Sequence, residues 1–330
     1  MMKYYFAPME GITGYIHRNA FQAFFPGIDK YITAFIAPNQ HGKLSSRERN
    51  DILPEHNEGM RVVPQLLTNN ADDFILTAKK LKDFGYDEIN LNLGCPSKTV
   101  VSKYRGSGFL AKPQELDRFL CEIFDRTEAD ISVKTRIGRD SPEEFHRLME
   151  IYNQYPLKEL IIHPRTQQDF YKNSPNLEVF AQALAMSTCP VCYNGDIFTA
   201  EDLEVFRARF PDVDKVMLGR GLLVNPMLIE SAERGEALDQ ERIRRFHDRV
   251  YSGYREVLSG DKVILFKMKE LWCYMIHLFP DSKKHAKRIR KSERLAAYED
   301  AVDALFRECR AQEPDREPED RSSEGKETLI

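Results

Sequence analysis

The chain has 330 residues, 42% hydrophobic and 30% charged, enough for one large domain with a sizeable core and a smaller one. It has no apolar run long enough to span a bilayer, no signal-peptide pattern at its start, and six scattered cysteines, which argues against a membrane span or a disulfide framework and for a cytoplasmic protein with reduced thiols. The formal charge of −4 hides an uneven distribution, −6 over residues 1–240, +6 over 241–311 and −4 over 312–330.

Short apolar runs at 4–9, 31–37, 62–67, 88–93, 131–137, 159–163, 191–194 and 215–218 predict eight strands. Helical periodicity fills most of the gaps, at 71–84, 113–126, 142–152, 176–186 and 200–210. Strands separated by helices pair in parallel, and eight of them over about 230 residues favour a closed (β/α)8 TIM barrel over an open doubly wound sheet. From about Gln240 the pattern turns all-helical, with candidates at 242–258, 263–279 and 293–310 and breaks at Gly260 and Pro280. The expected domains are a catalytic barrel over 1–235, a small helical C-terminal domain over 240–311 and a disordered acidic tail over 312–330.

The richest segment is 88–98, EINLNLGCPSK. Ile89, Leu91 and Leu93 alternate with Asn90 and Asn92, so one strand face is apolar and the other lined with amides. Gly94 and Pro96 then bracket Cys95 in a turn. A thiol held at a strand end beside an amide reads as a catalytic arrangement; the plain alternative is a small residue at an ordinary strand end. Other strand ends carry polar groups too: Ala7-Pro8-Met9-Glu10-Gly11, Gln65, Lys134, His163 with Arg165, Asn194-Gly195-Asp196 and Gly219-Arg220-Gly221. In a barrel these ends form the site, and the turns after the seventh and eighth strands commonly bind phosphate. Arg220 adds a fork of donors suited to that anion.

Together the motifs APMEGIT at 7–13, NLGCPSK at 92–98, VKTR at 133–136, HPRT at 163–166, NGD at 194–196 and GRG at 219–221 resemble the tRNA-dihydrouridine synthases, flavin-dependent barrel enzymes with a helical C-terminal domain. The resemblance implies reduction of the C5–C6 double bond of uridines in tRNA, with hydride reaching C6 from N5 of flavin mononucleotide (FMN) and NADPH or NADH as reductant. It implies that Pro8, Met9, Glu10, Gln65, Lys134, His163, Asn194, Gly195, Asp196, Gly219 and Arg220 hold the FMN. Cys95 would give the proton to C5, and Asn92 would contact the uracil or the flavin edge. Two departures stand out: Glu10 and Phe109 occupy positions where smaller residues are usual.

The chemistry agrees with the residue types. An unperturbed thiol, with pKa about 8.5, is largely protonated at neutral pH and can give a proton to carbon. Lys134 suits the electron-rich edge of a flavin ring, while His163 and Arg165 suit a flavin phosphate or the RNA backbone. A base inside folded RNA must be extracted, which needs a grip on phosphates. Lys283, Lys284, Lys287, Arg288, Arg290 and Lys291 crowd one short segment and are expected to supply it. Trp272 and Tyr274, at helical spacing, read as core rather than as base platforms.

Three other patterns carry less. Residues 106–111 fit a G-x-G-x-x-A fingerprint but do not follow a strand directly. Cys189 and Cys192 form a C-x-x-C without a second pair, so no metal is expected. Lys134 as a Schiff-base lysine would leave Cys95 without a task. The rival readings are a flavin barrel acting on a free pyrimidine, similar to a dihydroorotate dehydrogenase, and an RNA-binding barrel without activity. The basic segment weighs against the first, and Cys95 with Lys134 against the second. A monomer is the default for an enzyme gripping a large RNA.

Overall fold

A computed structural model of the chain describes residues 2–314. Eight parallel strands close into a barrel in chain order: β1 (Lys3–Phe6), β2 (Lys30–Ile36), β3 (Val62–Leu66), β4 (Glu88–Leu93), β5 (Asp130–Arg136), β6 (Glu159–His163), β7 (Val191–Asn194) and β8 (Lys215–Leu218). This is the expected (β/α)8 barrel, with the expected helices after it. β1 stops short of the predicted 4–9 because Pro8 cannot donate to a ladder. Beyond it the chain turns, with Ile12 N–H and Thr13 N–H both donating to the Met9 carbonyl (3.0 and 3.1 Å).

Helices Tyr15–Phe24 and Ser46–Ile52 lie between the first three strands, where periodicity predicted none. The first begins at Gly14 without a side-chain cap; the second buries only Ile52 and is marked instead by a Ser45–Glu48 capping box. The first buries His17 and Arg18 beside Ala20 and Phe21, so its inward face does not read as apolar, and the second buries a single apolar residue.

The chain divides into two compact units that do not follow chain order. One gathers the residues up to Pro8 with Ile28–Gly195 and Asp212–Met217; the other gathers Met9–Gly27, Asp196–Pro211 and the chain from Leu218 onward.

The first unit holds the strands. Strand alternation puts Tyr5, Lys30, Ile32, Val63, Ile161, Cys192 and Met217 on one face, toward the barrel axis, and Tyr5, Ala7, Ile32, Val63, Ile161, Cys192 and Met217 form one buried cluster. Below this layer lies a buried charge cluster at the strands' amino ends. Lys30 Nζ pairs with Glu88 Oε1 (2.9 Å) and Glu159 Oε2 (3.2 Å), Tyr5 Oη donates to Glu159 Oε1 (2.9 Å), and Arg61 reaches Glu88 from the surface (3.1 Å). Burial and the Glu159 charge push the Tyr5 phenol well above its ordinary pKa. Lys30 is 2% exposed, so this ammonium depends on its two carboxylates.

The second unit is helical. Helices Gln240–Val257, Asp261–Met275 and Leu295–Glu308 bury His247, Trp272 and Tyr298 together. Trp272 Nε1 can only donate, and does so to Tyr298 Oη (2.8 Å). The phenol proton therefore points to His247 Nε2 (2.6 Å), leaving Nδ1–H for Asp248 Oδ1 (2.8 Å). Burial holds the His247 pKa below its ordinary value. Trp272 is thus core, as its spacing suggested. The basic segment forms its own helix, Lys283–Lys291, where the reading placed none.

No helix among the described residues is long and apolar enough to cross a membrane. The acidic tail expected over 312–330 lies, from residue 315 on, outside the described residues.

Candidate active site

The turn after β4 is built by Asn92. Its Oδ1 accepts from Gly94 N–H (3.0 Å) and Cys95 N–H (2.9 Å), a side chain doing what a backbone carbonyl does in a tight turn. Its Nδ2 donates to Gln65 Oε1 (2.7 Å) on β3. Gln65 Nε2 donates to Asn90 Oδ1 (2.8 Å), and Asn90 Nδ2 to Ser132 Oγ (3.0 Å) on β5. Gln65, Asn90 and Ser132 are each 0% exposed.

Cys95 itself is half-buried, its thiol not in a disulfide. Its carbonyl accepts from Ser107 N–H (3.1 Å) and Ser107 Oγ (2.8 Å). Gly106, at φ +55°, backs this turn so closely that a Cβ would lie 2.8 Å from the Cys95 oxygen. Gly106 and Ser107 therefore brace Cys95, a task that the fingerprint pattern concealed. Phe109 is core, edge-on to Phe119 with ring centroids 5.5 Å apart.

β5 brings two cations to the same end. In the ladder Lys134 sits opposite Asn92. Among the described residues Lys134 Nζ makes no hydrogen bond or ion pair. Burial, and secondarily the Arg136 charge, lower its pKa from 10.5 to about 8. Arg136, 1% exposed, donates from Nε to the Gly94 carbonyl (3.0 Å) and from Nη1 to the Thr166 carbonyl (2.8 Å). It ties the Cys95 turn to the turn after β6, and the sequence reading did not single it out. Its only signal was its place in VKTR.

His163, on β6, is 6% exposed. Arg165 Nη1 donates to His163 Nε2 (3.0 Å), which assigns the ring proton to Nδ1. Arg165 is itself 1% exposed, and its Nε donates to the Asn173 carbonyl, so its guanidinium faces protein rather than open solvent. Asn194 Nδ2 donates to the Met217 carbonyl on β8 (2.8 Å). At Gly195 a Cβ would lie 2.0 Å from Tyr193 Oη, so that side of the turn is filled by the protein's own ring. Pro8 closes β1.

The remaining candidates belong to the second unit. Met9 is half-buried and Glu10 exposed; Thr13 Oγ1 accepts from Met9 N–H (2.8 Å), and Gly11 takes φ +85°. Arg220 pairs with Asp196 (2.7 Å) and lies over the Phe198 ring at 5.2 Å. Gly219 caps the short helix Arg220–Val224.

On helix Lys283–Lys291 the buried side chains are His285 and Ile289. Lys283, Lys284, Lys287, Arg288, Arg290 and Lys291 are all exposed. Their side chains make no ion pair or hydrogen bond among the described residues. Lys267 and Lys269 differ: their ammonium groups donate to the carbonyls of Gly11 (2.7 Å) and Ser292 (2.6 Å). Cys189 and Cys192 are not bonded to one another, and no group of three or more His, Cys, Asp or Glu among the described residues could hold a metal ion.

The sequence model of the dihydrouridine synthase family matches residues 5–310. A tRNA-dihydrouridine(16) synthase of Pseudomonas putida is 31% identical over 230 residues, covering 67% of this chain and 70% of the relative. One of Cupriavidus necator is 28% identical over 292 residues, covering 82% and 89%. Among solved structures, that of TcOYE with pHBA superposes with a TM-score of 0.53 at 14% identity, covering 78% of this chain and 95% of that one, a likeness of fold.

Proposed function

The chain belongs to the dihydrouridine synthase family, and on that premise we propose that it reduces the C5–C6 double bond of uridines in tRNA, with FMN as resident cofactor and NADPH or NADH as electron donor. As a member of that family the protein is an oxidoreductase rather than a binding module alone. The observation that carries the reading is the register of β4 and β5, which sets Asn92 opposite Lys134 and so brings the Cys95 turn beside an ammonium without a partner.

The residues present fit a flavin. Lys134 needs a negative or carbonyl-rich neighbour, since an unpaired ammonium in a desolvated place is costly. Asn92 and Gln65 each keep one amide N–H beyond those donated to Gln65 and Asn90. A planar ring edged with carbonyl oxygens meets both demands. A bound flavin supplies hydride, which no side chain can. Lys134 would hold the ring's electron-rich edge, and His163, buried at the end of β6, would help to hold the flavin. Cys95 would deliver its Sγ proton to C5, and Asn92, Ser107 and Gly106 hold the backbone that aims it.

The six exposed cations on Lys283–Lys291 supply the grip on RNA. Six cations without a protein partner among the described residues on one short helix form a basic stripe that matches a polyanion. A cytoplasmic monomer completes the proposal. The test is to purify the protein, record its flavin absorbance and assay dihydrouridine formation in unmodified tRNA with NADPH. Flavin-bound protein that forms dihydrouridine supports the reading. A colourless protein that binds no added FMN, or one that reduces free orotate and not tRNA, overturns it.

A further inference from the structure

The amides behind Cys95 have a direction. Backbone N–H groups can only donate, so the Asn92 atom facing Gly94 N and Cys95 N must be its oxygen. Its nitrogen then faces Gln65, whose oxygen is thereby turned to Asn92 and whose nitrogen is turned to Asn90 Oδ1. Asn90 must in consequence present its own nitrogen to Ser132 Oγ. Every amide orientation from Ser132 to Cys95 is determined, and reversing one would set donor against donor at its neighbour.

We propose that Asn90 and Ser132 are positioning residues of the site: through Gln65 they hold Asn92 in the one orientation that folds the Cys95 turn, and so determine where the Cys95 thiol points. Both are fully buried on the amide-lined side of the barrel; Asn90 is two hydrogen bonds removed from Asn92, and Ser132 three. Their influence travels by bond polarity rather than by contact with a reacting group. The relay also makes Asn92 a donor only, since both lone pairs of its oxygen are used, so a ligand meeting it must present an acceptor. This inference rests on the proposed function for the role of the thiol, but its geometry does not.

The experiment reads the turn directly. Peptide-resolved alkylation by iodoacetamide, followed by mass spectrometry, gives the rate at each cysteine in the purified full-length protein, with or without flavin. Asn90→Ala removes the acceptor and donor in the middle of the relay, and alkylation of Cys95 should change by about tenfold while Cys192, buried in the barrel, stays protected. Asn90→Asp should restore the wild-type rate, because a carboxylate still accepts from Gln65 and the Ser132 hydroxyl can turn to donate to it. If Asn90→Ala exposes Cys192, the barrel has opened, and the milder Ser132→Ala decides by the same criterion.

In stopped flow, oxidation of the reduced Asn90→Ala enzyme by tRNA should slow by roughly 10- to 100-fold, with flavin reduction by NADPH within about twofold of wild type. Unchanged Cys95 alkylation in Asn90→Ala, or in Ser132→Ala where that variant decides, overturns the proposal. So does an Asn90→Asp variant as impaired as Asn90→Ala, because Asp keeps the acceptor that orients Gln65; wild-type alkylation in Asn90→Leu, which fills the space without polar atoms, overturns it too by showing packing rather than polarity. Wild-type protein that binds flavin yet leaves tRNA untouched would sink the proposed function instead, and the alkylation rates would still decide the relay.

Discussion

Lys134 is the residue whose chemistry the surroundings change most usefully. Its folded pKa of about 8 lies below the ordinary 10.5, so it is fully charged only below that pH. Between pH 8 and 10.5 the unfolded chain holds this proton more tightly than the fold does, so the group's contribution to stability of the flavin-free protein rises with pH in that window. Flavin binding runs the other way if the ammonium holds the ring's electron-rich edge. Affinity for FMN, followed by fluorescence titration, should fall above about pH 8 in the wild type, and should be weaker and flat across the same range in Lys134→Met. Cys95→Ala should keep its flavin and its reduction by NADPH while tRNA turnover falls by about 10²- to 10⁴-fold, the worth of a positioned acid; full activity in that variant would remove Cys95 from the reaction. Cys95 and Lys134 could be read in the sequence because each sits at a strand end next to a turn-forming or charged motif. Arg136 could not, because the carbonyls that define its task, Gly94 and Thr166, lie 42 and 30 residues away.

At the scale of elements, the basic helix Lys283–Lys291 divides its labour by face. Two buried side chains at i and i+4, His285 and Ile289, seat it, and Lys269 satisfies the Ser292 carbonyl just past its end. Its exposed cations are thereby left without a protein partner among the described residues. Lys287→Ala and Arg290→Ala should each weaken tRNA binding and lower the slope of log affinity against log salt by roughly 0.7–0.9, with kcat nearly unchanged. Filter binding between low and moderate salt measures this, and an unchanged slope would exclude phosphate contacts by those residues. The charge cluster was visible in the sequence, but its helix was not, because two apolar positions in nine residues leave little periodicity to detect. The connection from β4 to the helix Pro113–Arg126 shows the same limit. Glycines 106 and 108 resembled a nucleotide motif, but Gly106 backs the Cys95 carbonyl and Gly108 packs against Val101.

Across the whole molecule, the barrel closes over a charge cluster at one end and a polar site at the other. Lys30 joins β2 to β4 and β6 through Glu88 and Glu159. Lys30→Met should destabilise the fold by about 3–5 kcal/mol, because it leaves buried Glu159 without its cation and Glu88 with Arg61 alone; urea unfolding followed by far-UV circular dichroism gives the value, and a loss below about 1 kcal/mol would mean that the carboxylates find other partners. Because the cluster sits at the strands' amino ends, flavin content of the folded variant should be retained.

The eight strands, their parallel order, the thiol at the end of β4 and the basic segment were determined by the sequence itself, since each rests on local alternation, turn residues or charge. Other features belong to the tertiary structure: the relay from Ser132 to Cys95, the Arg136 bracket, the Arg220–Asp196 pair and the buried Lys30 cluster. Each joins residues far apart in the chain, and a hydrogen bond or ion pair between such residues depends on barrel closure and strand register, which no short stretch of sequence contains.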